Sequence, residues 1–461
     1  MTCPTSSALT LVQSIPVGNF NVSLQKCAEP TWTVLRDLVK GSSKKLDATA
    51  MYMDLLGTDD RKVFSPAAMK AFGADRGSEL FDSLQNAAKR GITIRLLLGT
   101  LNNPINSTEV RTLLGYGAHV QARAWDPRLW YKGGIMHAKM WIADDKQAYM
   151  GSANADWKSL AQVKELGVAI DGGRAPDALG ELASLFDVFW SWASPDSVAH
   201  ATSVQAYSPV YQASLSVPPW DPLVPSASRA PSPFAATPPS RFDIAKPFDL
   251  GGGASGFVSA APAGALTGVR VPDEDALVYA IRDATTSASL SVMDFLPASD
   301  YEGGHGGAPL YWPVLIDAMI AAVYAKPLTM RLLVSHWEHT SKSQVAAMRR
   351  LADAQASCAL YYQKCAGTLE VRQFYVPGWN DTASARALSG EQPSWPSYSR
   401  VNHAKYIVTD RRVNVGTSNW QWGYFHNTAG ASLNTNDTAL RTAAQAAFDD
   451  DWESSYAVPL D

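Results

Sequence analysis

At 461 residues, 46% of them apolar and 18% charged, the chain has room for one to three domains, each with its own core. Its formal net charge of −4 excludes a broad basic surface for duplex nucleic acid and leaves only a local basic pocket. No uncharged apolar run reaches the about 18 residues of a membrane-spanning helix. The sequence as given opens without a signal-peptide pattern, as a mature chain would.

In chain order, residues up to about Pro30 read as an irregular lead-in and a first strand. Thr31 to Gly41 predicts a helix, and Leu46 to Leu55 a buried strand running into a loop. A helix from about Ser78 to Arg90 precedes a strand from Thr93 to Leu98. Val110 to Tyr116 is helical, with a strand near Val120. Met136 to Ala143 is apolar and β-favouring and reads as a strand. The polar stretch Asp144 to Gln147 reads as a turn, and Tyr149 to Asn154 as the returning strand. Glu165 to Asp171 is a further strand. Ala175 to Trp192 carries Leu179, Leu182, Leu185, Phe186, Phe189 and Trp190 on one side, the pattern of an amphipathic helix.

One pattern inside this run occurs twice. His137-Ala-Lys139 is followed by Asp144 and Gly151-Ser152-Ala153-Asn154; His403-Ala-Lys405 is followed by Asp410 and Gly416-Thr417-Ser418-Asn419. On a strand, residues two apart share a face, so each His and Lys project together. A hairpin about the turn places His137 opposite Asn154 and Lys139 opposite Ser152. The second copy, centred on Arg411, places His403 opposite Asn419 and Lys405 opposite Thr417. Each hairpin thus presents an imidazole, an ammonium, a hydroxyl and a carboxamide, half of a site for a tetrahedral oxyanion.

The duplication extends beyond the motifs. Met53-Asp54-Leu55 matches Met293-Asp294-Phe295, Ile94-Arg-Leu-Leu-Leu98 matches Met330-Arg-Leu-Leu-Val334, and Phe186-x3-Trp190 matches Phe448-x3-Trp452. These repeats predict an α/β protein of two pseudo-symmetric α/β/α sandwich halves in one chain, facing each other with the site at their seam. The expected limits are 1–200 for the first half, 201–267 for a Pro/Ser/Gly-rich connection, and 268–461 for the second half. The second half carries about thirty extra residues between Arg331 and His403, among them Trp337, His339, Trp379 and Trp395. Insertions near a site commonly shape substrate entry.

The four cysteines predict Cys3–Cys27 and Cys358–Cys365 disulfides, with four buried thiols as the alternative. Sequons at Asn21, Asn106, Asn380 and Asn436 agree with a secretory route and a lumenal or extracellular protein. His336, Glu338 and His339 lack a further spaced ligand and do not make a metal site. Trp420, Trp422, Tyr424 and Phe425 either pack the core or line the substrate cleft.

Two His-x-Lys-x4-Asp motifs resemble the signature of the phospholipase D superfamily. The flanks Gly151-Ser-Ala-Asn-Ala-Asp-Trp157, Gln162-Val-Lys-Glu-Leu-Gly167, Val401-Asn-His-Ala-Lys-Tyr406, Gly416-Thr-Ser-Asn-Trp420 and Thr428-Ala-Gly430 are similar to the animal phospholipase D3 and D4 branch, endolysosomal 5′ exonucleases on single-stranded DNA and RNA. The resemblance implies a metal-independent phosphodiesterase that works through a phosphohistidine, with no cofactor. It implies catalytic roles for His137, Lys139, Asn154, His403, Lys405 and Asn419, with Ser152, Thr417, Asp144 and Asp410 binding phosphate or supporting the site. It also places a carboxylate, Glu165, behind one histidine. In the second half the branch has Glu where this chain has Asn427, which leaves His403 without an evident carboxylate. His137, taken as the partner of Glu165, is then expected to be the nucleophile and His403 the acid and base. The expected substrate is single-stranded nucleic acid, with phospholipid hydrolysis or transfer as the alternative and a catalytically silent binding protein as a third reading.

Overall fold

The structure, a computed structural model, describes residues 7–101, 104–128, 133–193, 239–266, 270–299, 311–362, 365–387 and 392–460. The first half contains β1 (Leu9–Ser14), β2 (Ala28–Pro30), β3 (Lys45–Ala50), β4 (Met53–Asp54), β5 (Thr93–Leu98), β6 (Val120–Ala124), β7 (Met140–Ala143), β8 (Gln147–Gly151), β9 (Ala155–Asp156) and β10 (Glu165–Asp171). Eight of these form a sheet in the order β2-β1-β10-β8-β7-β3-β5-β6, and β4 pairs with β9. The second half contains β11 (Phe248–Gly251), β12 (Ala254–Ala261), β13 (Val271–Pro272), β14 (Ser287–Val292), β15 (Thr329–His336), β16 (Thr368–Tyr375), β17 (Tyr406–Thr409), β18 (Val413–Gly416), β19 (Gly430–Thr435) and β20 (Ala457–Pro459). Its sheet runs β11-β12-β19-β18-β17-β14-β15-β16-β20, with β13 beside β12.

The run β1-β10-β8-β7-β3-β5-β6 is matched strand for strand by β12-β19-β18-β17-β14-β15-β16. In both, the pairings up to β3 and β14 are antiparallel and the last two are parallel. The duplicated α/β sandwich expected from the repeats is the observed architecture. The helices Pro176–Trp192 and Thr438–Trp452 lie between the two sheets. Their Leu182, Leu185, Phe186, Phe189, Leu440 and Phe448 meet β-strand residues of both halves, including Leu11, Met140, Val168, Val258, Val415 and Leu433, in one central core. Each such side chain contributes ~1.5–3 kcal/mol on burial, so the halves are welded rather than tethered. Thr31–Gly41 and Asp75–Lys89 cover the outer face of the first sheet, and Asp273–Asp283 and Val314–Ala325 that of the second.

The repeated arginine explains itself in this frame. Arg95 is held by Asp47 at 2.6 Å and stacks 4.7 Å from Phe186; Arg331 is held by Asp449 at 2.6 Å and stacks 5.0 Å from Phe448. Each guanidinium lies over the Phe and Trp rings of the central helix that closes its own half, which is why Arg and the Phe-x3-Trp pair recur together.

The strand pair β11–β12 falls inside the stretch read by composition as a connection. β12 is built from Ala254, Ser255, Gly256, Ser259, Ala260 and Ala261 with Phe257 and Val258, and it pairs along its length with β19. It is the twin of β1. Small residues here are a packing requirement, because the helix Pro176–Trp192 lies against this strand, and composition alone does not separate them from a linker. Residues 201–238 and 267 of that stretch lie outside the described residues. Cys358 and Cys365 form a disulfide with Cα atoms 5.7 Å apart. The expected partner of Cys27, Cys3, also lies outside the described residues. All four sequon asparagines are exposed.

Candidate active site

The two motif segments run along the seam, and each is stitched to the opposite half by backbone hydrogen bonds. His137 N–H donates to Ala429 O (2.9 Å) and Ala429 N–H to Ile135 O (3.0 Å). The twin set is His403 N–H to Lys164 O (2.8 Å) and Lys164 N–H to Val401 O (2.9 Å). Buried backbone groups need partners, and here each half supplies the other's. Gly134, at φ +91°, lets this path pass Asn427; a Cβ there would stand 1.9 Å from the Asn427 carbonyl oxygen.

The motif residues lie just before the regular strands rather than within them. β7 starts at Met140 and β17 at Tyr406. The expected register is also corrected by one residue. Met140 faces Met150 and Tyr406 faces Val415, so Lys139 and Lys405 come opposite Gly151 and Gly416 rather than Ser152 and Thr417. By the same ladder His137 and His403 come level with Ala153 and Ser418, not with Asn154 and Asn419. The cause is turn length: Asp144 and Asp145 both take left-handed φ, closing the first hairpin in three residues, and the second closes in two.

The seam nonetheless joins the two halves of the site. The His137 and His403 rings lie 6.3 Å apart, centroid to centroid. Lys139 Nζ donates to the His137 carbonyl at 2.8 Å, and Lys405 Nζ to that of His403. All four side chains are buried. Asn419 Nδ2 donates to Asp294 Oδ2 (3.1 Å) and to Tyr424 Oη (3.3 Å), and the Tyr424 ring packs edge-on to His137 at 5.0 Å. Asn154 is anchored through its backbone N–H to Ser159 Oγ (3.2 Å). The Oδ1 atoms of Asn154 and Asn419 are buried and meet no hydrogen-bond partner among the described residues.

Glu165 overturns one expectation. Its oxygens lie 2.9 and 3.0 Å from Nδ1 of His403, across the seam, and not at His137. The carboxylate holds Nδ1–H as donor and leaves Nε2 with a lone pair. The hydrogen-bond pattern identifies the twin of Glu165: Lys164 matches Ala429, so Glu165 matches Gly430. A Cβ at Gly430 would fall 2.3 Å from Ser418 Oγ, so that position admits no side chain without rearrangement. Asn427 adjoins Gly134 on the His137 side of the seam. The departure at Asn427 therefore bears on His137, and among the described residues the histidine without a carboxylate is His137, whose buried Nδ1 meets no partner there.

The supporting residues divide clearly. Ser152 Oγ bonds both the carbonyl (3.1 Å) and the N–H (3.0 Å) of Leu166, and Thr417 Oγ1 accepts Ala431 N–H at 3.0 Å. Each ties its hairpin to the next strand. Asp144 accepts Ser43 N–H and Oγ–H, Lys44 N–H and Lys45 N–H at 2.6–2.8 Å. Asp410 accepts Thr285 N–H (2.9 Å) and Oγ–H and Ser287 N–H (3.4 Å). These bonds hold both carboxyls down at about 2. Both aspartates sit at the hairpin turns, at the far end of β7 and β17, and clamp the entry to β3 and β14.

Electrostatics at the seam are strained by burial. Burial lowers Lys405 to about 7 against the pull of Glu165 and Asp294. Lys139 is pushed well below the usual lysine range by burial and by Lys405. His137 is lowered strongly by burial and by both lysines, and His403 less so because Glu165 opposes. Burial would raise Glu165, but His403, Lys405 and Ser152 hold it below its ordinary value. A pocket that disfavours its own cations is built to receive an anion.

Sequence reading offered Tyr424 as core or cleft lining and Trp337 as part of an entry-shaping insertion, but it did not single out Asp294, which accepts Trp337 Nε1 at 3.0 Å. The repeat of Met-Asp was the available signal for Asp294. Trp420, Trp422 and Phe425 pack in the second-half core, whereas Tyr424 does not. His336 Nδ1 pairs with Gln373 Nε2 at 2.9 Å, and Glu338 accepts from Thr382 and Tyr398. Among the described residues no group of three His, Cys, Asp or Glu side chains is placed to hold a metal, and no helix is long and apolar enough to cross a membrane.

Known proteins share this chain's sequence and fold. Residues 67–190 match a family described as "Cardiolipin synthase, PLD-like domain", and residues 244–378 one described as "PLD3/4, PLD-like domain". The chain is 30% identical to Phospholipase D Z of Dictyostelium discoideum over 98% of its own length and 91% of that protein. It is 29% identical to the human 5′-3′ exonuclease PLD3 over 98% of its length and 80% of that protein. The crystal structure of phosphatidylserine synthase from Haemophilus influenzae superposes with a TM-score of 0.54 at 10% identity, covering 93% of this chain and 85% of that one, a likeness of fold. Two His/Lys motifs joined at one seam, on a duplicated scaffold with these relatives, make the chain a phosphodiesterase belonging to the phospholipase D superfamily.

Proposed function

We propose that the protein hydrolyses phosphodiesters in single-stranded DNA or RNA from the 5′ end, through a phosphohistidine and without a metal ion. The observation that carries the reading is the pair of imidazoles with ring centres 6.3 Å apart, one from each half, between two buried lysines. A phosphodiester seated there meets a nucleophile on one side and an acid on the other.

His403 is the nucleophile. Glu165 fixes its Nδ1–H tautomer, so Nε2 carries the lone pair that bonds to phosphorus. His137, protonated when the phosphodiester anion supplies the missing negative charge, gives its proton to the departing oxygen as the P–O bond breaks. Neutral His137 then takes a proton from water. The hydroxyl so formed attacks phosphorus, the N–P bond breaks, and its electron pair returns to His403. Lys139, Lys405, Asn154 and Asn419 hold the non-bridging oxygens. The identity to 5′-3′ exonuclease PLD3 supports the nucleic-acid substrate. The Cys358–Cys365 disulfide and the four exposed sequons support a lumenal or secreted protein.

The similarity to Phospholipase D Z favours a second reading, phospholipid hydrolysis. The test is direct: 5′-labelled single-stranded DNA and phosphatidylcholine vesicles are incubated side by side, with and without EDTA. Release of short labelled products that survives EDTA is expected. Turnover of the vesicles alone favours the lipid reading, and loss in EDTA with rescue by a divalent ion defeats the metal-free mechanism.

A further inference from the structure

The second-half insertion places a set of aromatic rings at the edge of the site. Asp294, which holds Asn419, also accepts Trp337 Nε1 at 3.0 Å and Gln344 Nε2 at 3.0 Å. Trp337 packs against Val163, Met293 and Val401, and Met293 Sδ lies 3.9 Å from Lys405 Nζ. From this buried indole the rings lead outward. His339 meets Trp337 at 4.6 Å, and Tyr398 lies 5.1 Å from His339 at a tilt of 34°. His339 is 44% exposed and Tyr398 56% exposed.

Tyr398 is held there at a cost. Its φ is +56° and that of Arg400 is +54°, the left-handed region that neither residue favours. The conformation is clamped on both sides. Tyr398 N–H donates to Glu338 Oε1 at 2.7 Å, and Glu338 is buried. Arg400 donates to Pro377 O (2.7 Å) and, across the seam, to Val17 O (3.0 Å) and Gly18 O (2.9 Å), while stacking 4.1 Å from Trp395. A strained backbone that presents an exposed ring has no evident packing reason. Tyr398 lies five positions before His403, so their Cα atoms lie within about 18 Å.

We propose that Tyr398 and His339, backed by Trp337, form a stacking platform for bases of a single-stranded substrate adjoining the scissile phosphate. Rings that mix a phenol and an imidazole with a nearby carboxylate suit a base face better than an acyl chain. The proposal rests on the nucleic-acid reading and names how that substrate is gripped. The insertion that carries these rings belongs to the second half, so among the described residues the platform lies on that side of the site.

The experiment compares wild type with Tyr398→Ala, Tyr398→Phe and His339→Ala on a six-nucleotide single strand and on a nitrophenyl phosphodiester of thymidine. Stacking on one ring is worth a factor of roughly 5–150 in affinity. Tyr398→Ala should raise KM for the strand about tenfold more than for the small ester, Tyr398→Phe should restore it, and His339→Ala should act in the same direction. Equal effects on both substrates, or no change in KM for the strand, overturn the platform. If wild type turns over phosphatidylcholine vesicles and not the strand, the underlying nuclease reading fails instead, a result the small ester and the variants cannot mimic.

Discussion

The two halves share a scaffold and differ in what they give each other. The first half lends Glu165 to His403; the second half returns Gly430, which carries no side chain and where a Cβ would crowd Ser418 Oγ, and sets Tyr424 beside His137 instead. The same contrast runs through the support. Lys164 forms a fully buried ion pair with Asp451 at 2.7 Å, while the corresponding positions hold Ala429 and Phe189, both in the apolar central core or at its edge. Duplication thus supplied symmetric positions, and divergence at a few of them gives the two histidines different surroundings. The rim follows the same rule, since the second half alone carries the insertion with Trp337, His339 and Tyr398.

The largest expected effect tests the division between the histidines. His403→Ala should abolish formation of the covalent adduct with every substrate. His137→Ala removes the acid, which is typically worth ~10²–10⁴-fold, and should recover part of its rate on a nitrophenyl ester with a good leaving group. Rapid acid quench and mass spectrometry read the adduct; a phosphorylated peptide containing His137 would reverse the assignment and give the carboxylate-paired His403 the role of acid.

The buried ion pair sharpens the comparison through stability. Asp451→Ala leaves Lys164 uncompensated in the core and should cost about 3–5 kcal/mol. Importing the other half's pair as Lys164→Ala with Asp451→Phe should restore most of it. Denaturant melts of the three proteins decide, and a double variant no better than Asp451→Ala would show that the two sites are not interchangeable.

Smaller in size is the pH response. Lys405, lowered to about 7 by burial, is charged below that value and neutral above it. In the proposed mechanism the cation that holds the phosphoryl oxygens is therefore lost as pH rises, and kcat/KM should fall up to about tenfold per unit above about 7. Glu165 opposes the lowering, so Glu165→Gln should move the break to lower pH. A profile that rises through pH 8 would mean that Lys405 is not the group in control.

The smallest effect concerns a feature the halves share. Asp144 and Asp410 are both held at about 2, below the ordinary aspartate value. Their contribution is present above about pH 4 and is lost as pH falls through about 2. Asp144→Asn or Asp410→Asn should each cost about 1–2 kcal/mol at neutral pH, flatten the acid limb of a stability curve, and leave kcat within a few-fold. A collapse of kcat with unchanged stability would return these aspartates to the chemistry.

How much of this was legible in the sequence follows the range of the interaction. The helix Thr31–Gly41 and the strands Thr93–Leu98 and Glu165–Asp171 appear with the bounds that local pattern predicts, and the repeats predicted the facing halves because a half-site has no use without its twin. The motifs named the two His/Lys pairs. Hairpin register failed by one residue because it depends on whether Asp144 and Asp145 take left-handed φ, which spacing does not reveal. β12 was hidden because Ala, Ser and Gly serve a tight strand as well as a linker. What only the tertiary structure decided is which side chain crosses the seam. Glu165 is far from His403 along the chain, and whether it reaches His403 or His137 is set by how the two sheets are stitched, through His403 N–H to Lys164 O and its twin. Residue types and their repetition determine the chemistry available; the packing of the two halves against one core determines which histidine receives the carboxylate.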